Sequence, residues 1–145
     1  MKNPSYLILV LTVVLAVSLT ACGGGGAAAP AAEAAPPTPA GNAANGKALF
    51  EQATIGKSNA LGCATCHSLE PDVTLVGPSL AGIADRAGSR VDGLSAEAYL
   101  RQSITAPNEF MVEGFAQNLM PLTFAADLSE EQINDLIAYL LTIKG

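Results

Sequence analysis

The sequence predicts an all-α domain of three to five short helices joined by long loops, and three observations predict it. Three segments carry apolar residues at helical spacing behind recognisable start signals. The stretches between them (GPSLAGIADRAGSR and LMPLTFAADL) are rich in Gly and Pro and show no alternating pattern of a strand. Apolar side chains are also scarce where a core should be: aromatic residues make up 5% of the chain and Trp is absent. So few large side chains do not easily offset the chain entropy of about 100 ordered residues, so something besides side chains should fill the middle.

The 145 residues are 50% hydrophobic and 14% charged, a profile that at first suggests a membrane protein. The distribution argues otherwise, because only Tyr6–Ala21 is a long apolar run and a multi-span transporter is thereby excluded. Residues 1–21 read as a signal peptide of lipoprotein type. Lys2 gives a thin positive start, and Leu7–Leu19 is an uncharged apolar stretch, short for a membrane span and right for a signal. It ends in Leu19-Thr20-Ala21-Cys22, which resembles the bacterial lipobox and makes Cys22 the candidate lipidation site. An uncleaved signal anchor with Cys22 as a bystander is the alternative; either reading puts the domain outside the cytoplasm. Residues 22–41 follow as the lipidated Cys and a Gly/Ala/Pro linker, a leash rather than a packed element. A helix over 27–35 is disfavoured by Pro30 and Pro36.

Residues 42–145 hold the folded domain. Asn45–Ala53 sets Ala48, Leu49 and Phe50 against Lys47 and Glu51, a short amphipathic helix. Ser95–Ile104 opens on an N-cap Ser with an early Glu97 and stops before Pro107. Ser129–Ile143 is the clearest helix: Ser129 and Gln132 form a capping box, Glu130 and Glu131 suit the helix dipole, and Ile133, Leu136, Ile137 and Leu140 share a face. The net charge of −6 argues against a sequence-independent nucleic-acid binder.

Cys63-Ala64-Thr65-Cys66-His67 carries the chemistry. C-x-x-C-H is the c-type haem attachment spacing: two thiols on one helical turn can add across two vinyl groups, and the adjacent His can ligate the iron. A zinc site needs four ligands, yet the only other Cys is Cys22, upstream of the linker, and there is no second His. A thioredoxin-like pair would need a strand–helix context that the flanks lack, and a disulfide across two residues would stabilise little. Met111 and Met120 are the candidates for a sixth ligand.

Residues 44–144 resemble a class I c-type cytochrome, the single-haem electron carrier. Gly46 and Phe50 match the Gly-x-x-x-Phe of that family's first helix, and Leu136 with Tyr139 match its last. The resemblance implies a cytochrome c fold wrapped around one covalent haem c, with Gly46 allowing close helix crossing and Phe50 and Tyr139 packed there. It implies Cys63 and Cys66 as attachment points, His67 as proximal ligand, and Pro78, in Gly77-Pro78-Ser79-Leu80-Ala81-Gly82, as acceptor from the proximal imidazole. It also implies Arg86 beside a haem propionate, with a solvated loop cation as the bland alternative. Met120, just before Pro121 and ahead of the last helix, is the implied sixth ligand, with Met111 second and Met120 as mere core filler third. The stretch Thr54–Gly62 is longer than in compact mitochondrial-type members, no Trp is present to bond a propionate, and a ring of surface lysines is missing, since the domain holds 6 basic and 12 acidic residues.

The expected function is single-electron transfer between redox proteins, on the extracytoplasmic face of a bacterial membrane and tethered there by lipid. Partners would belong to a respiratory or photosynthetic complex, with the domain a shuttle or a built-in subunit. The sequence also admits a haem enzyme or gas-binding cytochrome with a displaceable Met, and a structural or assembly lipoprotein.

Overall fold

A computed structural model describes residues 40–145. The expected signal peptide, the expected lipidation site Cys22 and all but the last two residues of the expected linker lie outside the described residues. Helix α1 spans Ala43–Phe50, and Asn42 caps it by accepting from the amides of Ala44 (2.9 Å) and Asn45 (3.2 Å). That cap starts the helix two residues earlier than the apolar pattern suggests, since a side-chain acceptor for the first amides decides where the helix begins. It also ends earlier, because the chain turns into an antiparallel hairpin of Thr54–Ile55 (β1) and Ala60–Leu61 (β2). Gly56 and Asn59 take positive φ at its turn (75° and 52°). The sequence pattern shows this stretch only as a connection, since two-residue strands are too short to show alternation.

A single turn, α2 (Cys63–Cys66), follows, then α3 (Ile83–Arg86) and a 3₁₀ turn over Ala87–Ser89. Helix α4 is Ala96–Thr105, with Ser95 accepting from Ala98 N at 3.1 Å. A last short turn, α5 (Phe124–Asp127), leads into α6 (Glu130–Leu140). Both halves of the expected capping box are present: Gln132 N donates to Ser129 Oγ at 3.2 Å, and Ser129 N to Gln132 Oε1 at 2.9 Å. The three longer helices are the three expected, and of the one-turn helices α3 and α5 sit in the Gly- and Pro-rich segments.

Helices α1 and α6 cross at Gly46. A Cβ there would lie 1.9 Å from the carbonyl oxygen of Asp135 and 2.9 Å from Cβ of Tyr139. Only glycine permits this approach. Phe50 and Tyr139 then meet edge-to-face, centroids 5.5 Å apart at 61°. Asp135, buried on α6, accepts from Asn42 N at 2.6 Å and so ties the start of α1 to the same crossing. Phe50, Ile133 and Leu136 are the largest fully buried side chains, and α4 adds Tyr99, Leu100 and Ile104. Among the described residues no helix is long and apolar enough to cross a membrane.

Candidate functional site

The core is incomplete on one side, where a cleft of about 170 Å³ penetrates between the helices and the loops. Core side chains form its floor, among them Phe50, Leu100, Leu136 and Leu140. The cleft is mostly apolar: no Asp, Glu, Lys or Arg is among the residues lining it, and besides the two thiols and His67 its polar side chains are Tyr99, Ser103, Asn108 and Asn118. Its mouth carries Leu61, Val76 and Leu119, apolar side chains about half exposed (56%, 51% and 50%). Apolar surface left uncovered at this scale costs free energy, which makes the cleft a place for an apolar group rather than for water.

Cys63 and Cys66 are both free thiols on the cleft wall, half-buried, at the two ends of α2. Gly62 positions the turn: its amide donates to Ala53 O at 2.9 Å, and a Cβ there would lie 1.8 Å from the carbonyl oxygen of Gln52. Burial pushes the Cys63 thiol up to about 11, so it stays protonated at neutral pH.

His67 ends the turn and also lines the cleft. Its Nδ1 lies 2.8 Å from Pro78 O. A carbonyl can only accept, so Nδ1 carries the proton and Nε2 is left with its lone pair free. Burial lowers the His67 pKa, and the Pro78 carbonyl partly opposes that, so the ring is neutral and fit to ligate. Gly77 packs flat against it; an added Cβ would stand 2.5 Å from Cε1 and 2.8 Å from Nδ1. Three backbone and side-chain bonds hold this segment to the one that follows Cys66: Gly77 N to Cys66 O (2.9 Å), Leu80 N to Ser68 O (2.9 Å) and Ser79 Oγ to Glu70 O (2.7 Å).

Arg86 is the one mature-domain residue among those expected at the site that the structure does not bring to the cleft. Its Nη2 donates to Ser79 O at 2.7 Å and its Nη1 to Ala81 O. Both terminal nitrogens bond loop carbonyls, and Arg86 thereby braces the segment carrying Pro78. Met111 and Met120 both reach the cleft and both are half-buried. Met120 also packs against the buried core cluster.

Sequence reasoning missed the bonds that shape the Met120 side. Asn108 and Asn118 bond reciprocally, Nδ2 to Oδ1 at 2.9 Å and Asn118 N to Asn108 Oδ1 at 3.0 Å, closing the loop that contains Met111. Asn118 takes φ 62°, where Asn is tolerated better than most residues. The hairpin was missed as well, although Gly-Lys-Ser-Asn between two apolar pairs is turn chemistry that could have flagged it.

The residues fit a covalent haem: two free thiols at C-x-x-C spacing, a neutral imidazole with one nitrogen committed and one free, and an apolar cleft left open in the core. The family model described as Cytochrome c matches residues 43–144, well over half of the chain. That match covers every helix of the described structure, the thiols and the histidine. The chain therefore belongs to the cytochrome c family, an electron-transfer haem protein of all-α fold that carries covalent haem c.

Proposed function

We propose that the chain is a membrane-tethered monohaem cytochrome that passes single electrons between extracytoplasmic redox proteins, with His67 and Met120 as the axial pair. The observation that carries the reading is that one apolar cleft gathers Cys63, Cys66, His67 and Met120, and no Asp, Glu, Lys or Arg lines it. Haem c supplies a one-electron Fe(III)/Fe(II) couple when bound. Cys63 and Cys66 anchor it by thioether bonds, and Pro78 fixes the tautomer and plane of His67 and raises its basicity as a ligand. Met120 brings a soft thioether that favours the ferrous state relative to a second imidazole. Two protein ligands leave no position for a substrate, and the cleft offers no acid or base for peroxide cleavage.

The exposed apolar rim of Leu61, Val76 and Leu119 suits a weakly polar docking contact with a redox partner, in keeping with a domain of 6 basic residues and no lysine ring. A lipid on Cys22 and the linker after it would hold the domain near a respiratory or photosynthetic complex, as shuttle or subunit. Two or more acyl chains suffice for stable anchoring.

Optical spectroscopy of the holoprotein tests the ligation. The weak red-edge band of ferric Met–iron bonding should be present in wild type, vanish in Met120→Ala and survive in Met111→Ala. Ready binding of carbon monoxide to the reduced wild type would instead favour a gas-binding or enzymatic haem. For the tether, Cys22→Ser should move the protein to the soluble fraction, and continued membrane association would refute the lipid anchor.

A further inference from the structure

The hairpin β1–β2 is the part of the domain that the sequence marked as extra length, and its contacts give it work. It leads directly into Gly62 and α2, so it is fixed to the thiol-bearing wall, and both Ile55 and Leu61 line the cleft. Its turn reaches residues 69 positions later in the chain. Ser58 Oγ donates to the carboxylate of Asp127, and Lys57 Nζ donates to Ala126 O at 3.3 Å. Gly56, at φ 75°, lies so close to Asp127 that a Cβ would stand 2.7 Å from the aspartate Cβ. The target, α5, follows Met120-Pro121 directly, and its Phe124 is buried and lines the cleft together with Leu128.

We infer that the Ser58–Asp127 clip, with Lys57 on Ala126, is a positioning device that holds the Met120 segment closed over the cleft. This rests on Met120 being the sixth ligand. Lys57, Ser58 and Asp127 touch neither thiol nor imidazole; they act by tying α5 to the hairpin. On the other side of Met120, the Asn108–Asn118 pair fixes the chain two residues before it. Met120 thus sits between two fastened points, and the hairpin supplies the downstream one. A thioether is a weak ligand, so the equilibrium between bound and displaced Met depends on how much chain freedom displacement releases. Cutting the clip increases that freedom and favours displacement.

Titration of the ferric holoprotein with imidazole reads this equilibrium through loss of the red-edge band. Ser58→Ala and Asp127→Ala should each lower the imidazole concentration for half-loss about threefold, the scale of one solvent-exposed contact to a charged group. The double variant should add little beyond Asp127→Ala, because Asp127→Ala already removes the Ser58 bond as well as the one from Thr123. Amide hydrogen exchange at Ala126, Asp127 and Leu128 should quicken in each. Unchanged imidazole titrations in both single variants, or strictly additive shifts in the double, would overturn the clip while leaving Met120 as ligand. Persistence of the band in Met120→Ala would overturn the ligation reading itself and the clip with it. Should Asp127→Ala fail to fold, Ser58→Ala deletes only a surface hydroxyl and carries the test alone.

Discussion

Gly77→Ala is the substitution that the geometry of the haem side singles out. An alanine Cβ would lie 2.5 Å from His67 Cε1, 2.8 Å from Nδ1 and 3.0 Å from Nε2. Ordinary contact begins near 3.4 Å, so the ring must retreat by about 0.9 Å at Cε1. The same displacement would stretch the 2.8 Å bond from Nδ1 to Pro78 O towards about 3.7 Å, beyond hydrogen-bond range. The segment cannot move away in place of the ring, because Cys66, Ser68 and Glu70 hold it by three bonds and Arg86 braces Ser79 and Ala81. Overpacking of this kind costs about 1–3 kcal/mol, and a lost neutral hydrogen bond about 0.5–1.5 kcal/mol. The expected loss is therefore about 2–4 kcal/mol, a large share of the stability of a domain this size. Urea unfolding of the holoprotein measures it as a lower midpoint at constant slope. Gly88→Ala is the matched control, since its nearest neighbour would be 3.5 Å away and its φ is not positive; it should shift stability by no more than about 1 kcal/mol, in the stabilising direction if at all. A Gly77→Ala protein as stable as wild type, with an unaltered ferric spectrum, would refute the claim that Gly77 seats the imidazole.

Two further outcomes follow from other contacts. Gly46→Ala should destabilise by at least the overpacking range of about 1–3 kcal/mol, read as a lower melting temperature, because the added Cβ would meet rigid backbone of Asp135 at 1.9 Å and not a movable side-chain end. On acidification, Asp85 should lose a contribution to stability. The amide of Gly145, and then Lys144, hold its carboxyl below the usual value of 3.8. Its folded pKa is depressed, so the contribution is complete above pH 3.8 and disappears as pH falls through the lower folded value. The gap in melting temperature between wild type and Asp85→Asn, measured from pH 7 down to 2, should therefore close below 3.8; a gap independent of pH would refute it.

How far the sequence disclosed this molecule depends on the range of the interaction concerned. Ser129–Gln132 is a local pattern, and both its bonds are present in the structure. The Gly46, Phe50 and Tyr139 crossing was legible only through resemblance, because nothing local in Gly46 says that Asp135 will pass within contact of it. The thiols and His67 were legible because adjacent residues on one turn must share a surface. Pro78 came by resemblance, and its carbonyl does reach Nδ1. For Arg86 the motif fixes where a cation stands along the chain, while its bonds to two carbonyls of its own loop are visible only in the structure. Ser58 and Asp127 lie further out of reach, since no spacing rule links a hairpin turn to a helix end 69 residues away.

The same distinction of range explains why the cleft is apolar while the domain is acidic. Every charged side chain of residues 42–145 stays off the lining, although 12 of them are acidic. Carboxylates at the mouth would be drawn towards a positively charged ferric centre and would resist its reduction; buried ones would also incur a desolvation penalty. Keeping charge outside leaves the imidazole neutral and the apolar rim uninterrupted. It also concentrates the polar work of the site in uncharged groups, namely the Pro78 carbonyl and the Asn108–Asn118 pair, with the charged groups of the clip, Lys57 and Asp127, kept away from the lining. With Met120 as the proposed sixth ligand, the domain separates what holds that segment closed from what contacts the redox group, and a change in the first should alter how readily Met120 leaves without altering the thiol attachments.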